Sequence, residues 1–144
     1  MLVSGFMIPY ERVHKCRPCD SVQTALDLMM DRRVSCLIIV LEDRPTGIVT
    51  KTDMCWCYRN GVSLDSQIGD IMPWTVGIKK IGSTENRDAA AKFFEREKVH
   101  HALVVDEEDR EVGLISAMDV ASEVARDARA WPWIRSEDGR VHRT

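Results

Sequence analysis

"GIVTKTDM" occupies Gly47–Met54, and "GLISAMDV" occupies Gly113–Val120, 66 positions further on. Both read Gly, two apolar residues, Thr or Ser, two variable residues, Asp. A motif written twice in a chain of 144 residues points to an internal repeat, which has to be settled before any element is assigned. Shifting the chain by 65 residues lays Val22–Val40, "VQTALDLMMDRRVSCLIIV", on Arg87–Val105, "RDAAAKFFEREKVHHALVV". Ala25, Leu28 and Met29 then fall on Ala90, Phe93 and Phe94, and Val34 falls on Val99. Between these runs and the octets the offset grows by one. The extra residue belongs in "DEEDREV" relative to "LEDRPT", where a hairpin loop tolerates it.

Each half reads as the same series of elements. Val22, Ala25, Leu26 and Met29 recur at helical spacing and predict the buried face of one helix. Asp20 or Ser21 is placed to cap it, as Ser83 or Thr84 is in the second copy. A continuous apolar strand follows, Cys36–Leu41 or Ala102–Val105, too uniformly apolar to have a wet face. Then come a charged turn, a short strand (Gly47–Val49 or Gly113–Ile115) and a second helix starting at the Thr or Ser. The first such helix should stop at Asn60–Gly61, and the last should run through Val120, Val124 and Ala128 and stop before Pro132. "GDIMPWTVGIKKIGS" supplies a Pro break and an edge strand over Thr75–Lys79. The unit is β-α-β-β-α, used twice, in the α/β (α+β) class. One unit cannot cover both faces of its small sheet, so two are expected to pack together, sheet to sheet or helix to helix.

Composition narrows the class. The length fits one compact domain or two small halves with a shared core. Hydrophobic residues at 44% and charged residues at 30% are globular values and argue against disorder. A net charge of −3 gives no electrostatic reason to expect nucleic acid. The longest apolar run, Leu37–Leu41, is far too short for a bilayer, so no membrane association is expected. "MLVSGFMIPY" lacks the basic start and long apolar core of a signal peptide. Five cysteines, an odd number, point to a reducing, intracellular compartment, the cytoplasm first, with an organelle left open.

The octet has two readings. Ser/Thr-x-x-Asp is a capping box, in which the hydroxyl of Thr50 or Ser116 accepts a backbone N–H and Asp53 or Asp119 reaches back. Three features favour a ligand as well. A strand led by Gly admits a ligand or another backbone closely. A helix N-terminus offers free N–H groups and a dipole to phosphate. A carboxylate beside a hydroxyl suits a ribose diol next to a phosphate.

The doubled unit, the two octets and "DIMP" between the halves together resemble a tandem pair of cystathionine-β-synthase (CBS) domains, a Bateman module. The resemblance covers about residues 5–128. It implies two repeats packed with pseudo-two-fold symmetry, with a first repeat and lead-in over residues 1–67, a second over 68–128, and a Trp/Pro segment and polar tail over 129–144. It further implies regulatory binding of an adenosine-containing ligand (AMP, ADP, ATP or S-adenosylmethionine) in clefts between the repeats. Asp53 with Thr50, and Asp119 with Ser116, would take the ribose hydroxyls and phosphate. Val34, Ser35 and Cys36, and Val99, His100, His101 and Ala102, would contact adenine through backbone and phosphate through side chains. Many members carry Pro early in the long strand, where this chain has Ile38 and Leu103. His100 and His101 stand where the first half has Ser35 and Cys36, so one good site and one weak or empty site are expected. Lys51 is placed to reach a phosphate, whereas Arg32, Arg33 and Lys98 complement helix C-termini without any ligand. CBS pairs commonly form disc-like dimers, which makes a homodimer the default, and an unidentified partner protein would read the bound state.

"CRPC" (Cys16–Cys19) and "CWC" (Cys55–Cys57) raise zinc or redox chemistry. The second spacing is tight for ligands, and on a helix its two side chains point apart; no metal site is assigned. Trp56, Trp74, Trp131 and Trp133 suggest interface contacts. No nucleophile–base pair or Walker loop is visible, so the chain is read as a nucleotide sensor and not an enzyme. The alternatives are a ligand-free structural or dimerisation module and a cysteine-based redox or zinc protein.

Overall fold

The computed structural model describes residues 1–71 and 78–126. In chain order its elements are β1 (Ile8–Pro9), β2 (Lys15–Cys16), α1 (Val22–Arg32), β3 (Cys36–Leu41), β4 (Arg44–Thr50), α2 (Lys51–Arg59) and a one-turn α3 (Ile68–Ile71). They continue with β5 (Lys80–Gly82), α4 (Arg87–Glu97), β6 (His101–Val105), β7 (Glu111–Ser116) and α5 (Ala117–Arg126). Two compact units result: Arg12–Ile78, and Met1–Glu11 together with the chain from Lys79 onward.

The first unit is β2-α1-β3-β4-α2, with sheet order β2-β3-β4. Ser21 caps α1, its Oγ accepting the Thr24 N–H at 3.0 Å. Val22, Ala25 and Met29 form the buried face, and α1 ends on Arg33 in the left-handed region, φ 55°. α1 is the crossover that lets β2 and β3 run parallel. All of Cys36–Ile39 is buried, as a strand without a wet face requires. A two-residue turn, Glu42–Asp43 with φ of 52° and 62°, returns the chain into the antiparallel β4. α2 closes at Asn60, and Gly61 supplies the positive φ of 66° beyond it. Leu37, Ile39, Val49, Met54 and Cys57 join the α1 face in one core.

The second unit repeats the pattern as β5-α4-β6-β7-α5. Even the irregularities match, since the β-bulge between Ile39 and Val40 recurs between Val104 and Val105, 65 positions on. The extra residue lies in the hairpin: Val40 pairs with Pro45 across residues 41–44, and Val105 pairs with Glu111 across residues 106–110. Ala90, Phe93, Phe94, Ala102, Val104, Ile115 and Val120 make the core, with the two Phe rings edge to face at 5.4 Å.

Three expectations need correcting. Asn86, not Ser83 or Thr84, caps α4; its side chain accepts the Ala89 N–H at 2.8 Å. The first strand of this unit is Lys80–Gly82 rather than Thr75–Lys79, because Ile81 is the residue that enters the core; residues 75–77 of that expected strand lie outside the described residues. The sheet also has a fourth strand, in the order β1-β7-β6-β5. The extra strand comes from the beginning of the chain, which pairs Ile8 with Leu114 and Pro9 with Gly113. Val3, fully buried, belongs to this unit's core, and its N–H donates to Glu85 O at 2.7 Å.

Candidate functional site

The first residue of β3, Cys36, lies across the ladder from Thr50, the last residue of β4. In the second unit the first residue of β6, His101, lies across from Ser116. Each hairpin therefore brings the start of its long strand to the start of the following helix. Ser35 and Cys36 thus stand at the Thr50–Lys51 junction, and His100 and His101 stand at the Ser116–Ala117 junction. The main chain fastens each junction. Lys51 N–H donates to Ser35 O at 3.0 Å, and Ala117 N–H donates to His100 O at 2.9 Å.

Both octets are complete capping boxes. Thr50 N–H donates to Asp53 Oδ2 at 2.8 Å, and Asp53 N–H donates to Thr50 Oγ1 at 3.3 Å. The Thr50 hydroxyl also contacts Asp53 Oδ2 at 3.0 Å. In the second copy Ser116 N–H donates to Asp119 Oδ2 at 2.9 Å, and Asp119 N–H donates to Ser116 Oγ at 3.0 Å. Two consequences follow. Two of the first three N–H groups of each helix are used, those of Lys51 and Asp53 in α2 and those of Ala117 and Asp119 in α5. Each helix start therefore offers an anion fewer free N–H groups than one without a capping box. By contrast, the bonds to each carboxylate all go to Oδ2, so among the described residues Oδ1 remains available as an acceptor.

The glycine of the second octet admits backbone. A Cβ on Gly113 would come within 2.7 Å of Ile8 O and would also meet the Met7 side chain. Here the close approach is that of β1.

The side chains around the two junctions differ. Lys51 and Ser35 are exposed in the first, beside the buried Cys36. In the second His100 is exposed, His101 is half-buried and Ala102, wholly in the core, can face a ligand only through its backbone. Burial, followed by the neighbouring His100, holds the His101 imidazole below its usual pKa, while Asp119 pulls it up.

The cysteines do not gather. Cys16 and Cys57 are in the core, whereas Cys19 and Cys55 are exposed, so the two side chains of the C-x-C do point apart. Among the described residues no three His, Cys, Asp or Glu side chains form a metal-ligand group. None of the described helices is long and apolar enough to cross a membrane. Trp56 is half-exposed on α2; Trp74, Trp131, Trp133 and the 129–144 segment lie outside the described residues. A cleft of about 600 Å³ in the first unit was not legible in the sequence. It lies at the far end of β3, lined by Arg17, Cys19, Val40, Leu41, Thr46 and Asp70, and includes none of the octet residues.

Two register-matched β-α-β-β-α units with an acid-and-hydroxyl box at each second strand–helix junction define a tandem-repeat module. The chain belongs to the CBS domain family, whose model matches residues 3–58 and 68–126. Among curated proteins it is similar to inosine-5′-monophosphate dehydrogenase of Korarchaeum cryptofilum, with 33% identity over 86% of this chain and 24% of that protein. The same enzyme of Thermoplasma acidophilum is 30% identical over 75% of this chain and 21% of its own length. The chain thus spans about a quarter or less of these relatives. The fold matches the crystal structure of CBSX2 in complex with AMP, with a TM-score of 0.72 and 22% identity, over 87% of this chain and 96% of that one. It also matches the CBS domain of the bacterial CNNM/CorC family Mg2+ transporter in complex with ATP, with a TM-score of 0.74 and 22% identity, over 87% of each.

Proposed function

We propose that this chain is a regulatory module that binds an adenine nucleotide and passes the bound state to a partner protein, without catalysing a reaction itself. The observation that carries this reading is that the capping bonds to Asp53 and Asp119 all use Oδ2, in matched positions beside a hydroxyl, so that among the described residues Oδ1 lies outside the cap. A carboxylate oxygen held in place by a cap on its other oxygen is a preorganised acceptor for the two donors of a ribose diol. Lys51 in the first unit, and His100 and His101 in the second, are the groups that would meet phosphate. Backbone at Ser35–Cys36 and His100–Ala102 would meet adenine. Similar folds have been solved with AMP and with ATP, which supports this ligand class; AMP, ADP, ATP and S-adenosylmethionine are the candidates. A homodimer and a reducing cellular compartment complete the proposal. Binding shifts the partner only by as much as the ligand's affinity differs between the states it connects.

The completeness of the two capping boxes favours a second reading, a ligand-free structural or dimerisation module in which the octets serve as helix caps alone. Thermal melting against AMP, ADP, ATP, S-adenosylmethionine and GTP separates the two. Ligand at about a hundred times its Kd adds about 2.7 kcal/mol, which is several degrees at roughly 2–4 °C per kcal/mol. Stabilisation by adenine ligands alone is expected. A flat response on protein freed of carried-over nucleotide selects the structural module.

A further inference from the structure

The cleft of about 600 Å³ at the far end of β3 contains no octet residue, and its walls are held by short polar bonds. Ile68 N–H donates to Asp20 O at 2.8 Å and Gly69 N–H to Pro18 O at 2.7 Å, which fastens the chain around α3 to the turn before α1. Gly69 permits this approach, since a Cβ there would come within 2.9 Å of Pro18 O. On the other side the Thr46 hydroxyl donates to Ile39 O at 3.2 Å. The cleft is therefore preformed, and its volume falls within the range of small-molecule sites, about 300–1,000 Å³. The frame recurs in the second unit, where Val3 N–H donates to Glu85 O and Ser4 N–H to Ser83 O, each partner 65 positions from its counterpart. The lining does not recur. Gly82, Asp106 and Gly5 stand where the first unit has Arg17, Leu41 and Asp70. The chemistry of this cleft thus belongs to the first unit's own side chains rather than to the repeated fold.

Pro18, Val40 and Leu41 give the cleft apolar surface, and Leu41 is 53% exposed. Its charges are unbalanced. Arg17, the one cation among the lining residues, is already matched by Asp20, to which it donates from its main chain at 2.8 Å and from Nη2 at 3.2 Å. Glu42 and Asp70 also line the cleft and are exposed, and among the described residues neither carboxylate has a hydrogen-bond or ion-pair partner. An anion entering here would meet two unmatched like charges, whereas a cation would be attracted by both. We propose that this cleft is a second ligand site, distinct from the octets, that takes a small organic cation built on an apolar ring or chain. The apolar body supplies most of the affinity by leaving water against Pro18, Val40 and Leu41. The two carboxylates supply selectivity, because ion pairs at exposed positions add little strength but still set the preferred sign of charge. The proposal does not rest on the nucleotide reading.

The test is NMR titration of the full chain, at near-neutral pH and low salt, with three probes of one shape: tryptamine, its neutral alcohol tryptophol and the anionic indole-3-propionate. Each is taken to about 10 mM, since ligands of this size bind at about 1 mM. Tryptamine is expected to shift the amides of Cys19, Leu41 and Gly69 and not those of Thr50–Asp53. It should bind up to about thirtyfold more tightly than tryptophol, the most that two exposed ion pairs supply, with the anion weakest. Cys19 gives a second readout, because its exposed thiol lines the cleft. Saturating tryptamine should slow its alkylation by iodoacetamide and leave that of Cys55, exposed outside the cleft, unchanged. In the double variant Glu42→Gln, Asp70→Asn the preference for amine over alcohol should disappear. If that variant does not fold, about 1 M salt on the wild-type chain reads the same quantity, since it screens charges beyond about 3 Å. Equal affinity for amine and alcohol overturns the proposal, as does a preference that survives both the substitutions and the salt. Equal slowing of the two cysteines, or no binding of any probe, overturns it as well. None of these outcomes bears on the nucleotide reading, whose residues lie at the other end of β3.

Discussion

Asp119 caps α5 through one oxygen and, in the proposed function, holds a ribose through the other; substitutions can part the two. Asp119→Ala removes the reciprocal half of the capping box and should lower stability by about 0.5–2 kcal/mol, whether or not a ligand exists. Asp119→Asn keeps a carbonyl oxygen for the Ser116 N–H but lacks the charge and the second acceptor. It should melt close to wild type while losing most of the AMP-induced shift. Equal AMP shifts in Asp119→Asn and wild type would leave the carboxylate as a cap alone. Cys16 gives a second expectation at this scale. Burial, with a smaller contribution from Asp20, raises its thiol from 9.0 to about 12, and burial raises Cys57 as well. A raised folded-state pKa stabilises the protein below the unfolded value and loses that contribution as the pH climbs through the folded one. Stability should therefore decline above pH 9.0 and on towards about 12. Mass spectrometry after iodoacetamide treatment near neutral pH should find Cys19 and Cys55 alkylated, with Cys16 and Cys57 protected until the chain is denatured. Early alkylation of Cys16 would contradict the packing around it.

Between residues and the whole lie strand and helix ends, and Gly113 decides how one strand seats. β1 pairs through only Ile8 and Pro9, and it approaches β7 at the one position without a Cβ. Gly113→Ala should cost about 1–3 kcal/mol by overpacking against Ile8 and Met7, measurable by denaturant melts with an unchanged slope. A stability equal to wild type would mean that β1 is easily displaced. This strand also marks where the sequence stops being legible. α1, β3, β4 and α2 could be read from their periodicity and from the repeat, and the capping boxes could be read because they close within four residues. A two-residue strand such as β1 or β2 has no period to read. The cap of α4 was missed because Ser83, Thr84 and Asn86 are all good caps, and the choice is made by where Ala90, Phe93 and Phe94 must point. Occupation of the helix N–H groups was hidden for the same kind of reason. Their partners, Ser35 O and His100 O, lie a hairpin away, so nothing local in the octet announces them. The caps within each octet were legible, and the bonds that reach it from across the hairpin were not.

At the scale of the molecule, the sequence repeat and the compact unit divide the chain differently. By repeat, the opening residues precede the first copy; by packing, Met1–Glu11 belongs with the chain from Lys79 onward. The attachment is substantial. Val3 is fully buried in the second core, and burying a Val side chain contributes about 1.5–3 kcal/mol. Val3 and Ser4 N–H groups donate to Glu85 O and Ser83 O, each such bond adding about 0.5–1.5 kcal/mol net. Set against a whole-domain stability of about 5–15 kcal/mol, loss of these contacts is severe for the unit that holds them. Deleting residues 1–11 should therefore injure the distant copy more than the adjacent one. Hydrogen exchange is the measurement: amides of β6 and β7 should lose protection by orders of magnitude, while those of β3 and β4 keep most of theirs. The same deletion should abolish an AMP response that depends on Asp119, because Ser116 closes the strand on which β1 lies. Equal loss of protection in both sheets would instead mean that the two units unfold in one cooperative step. Unchanged protection in both would show that the beginning of the chain is an ornament on a second repeat that folds without it.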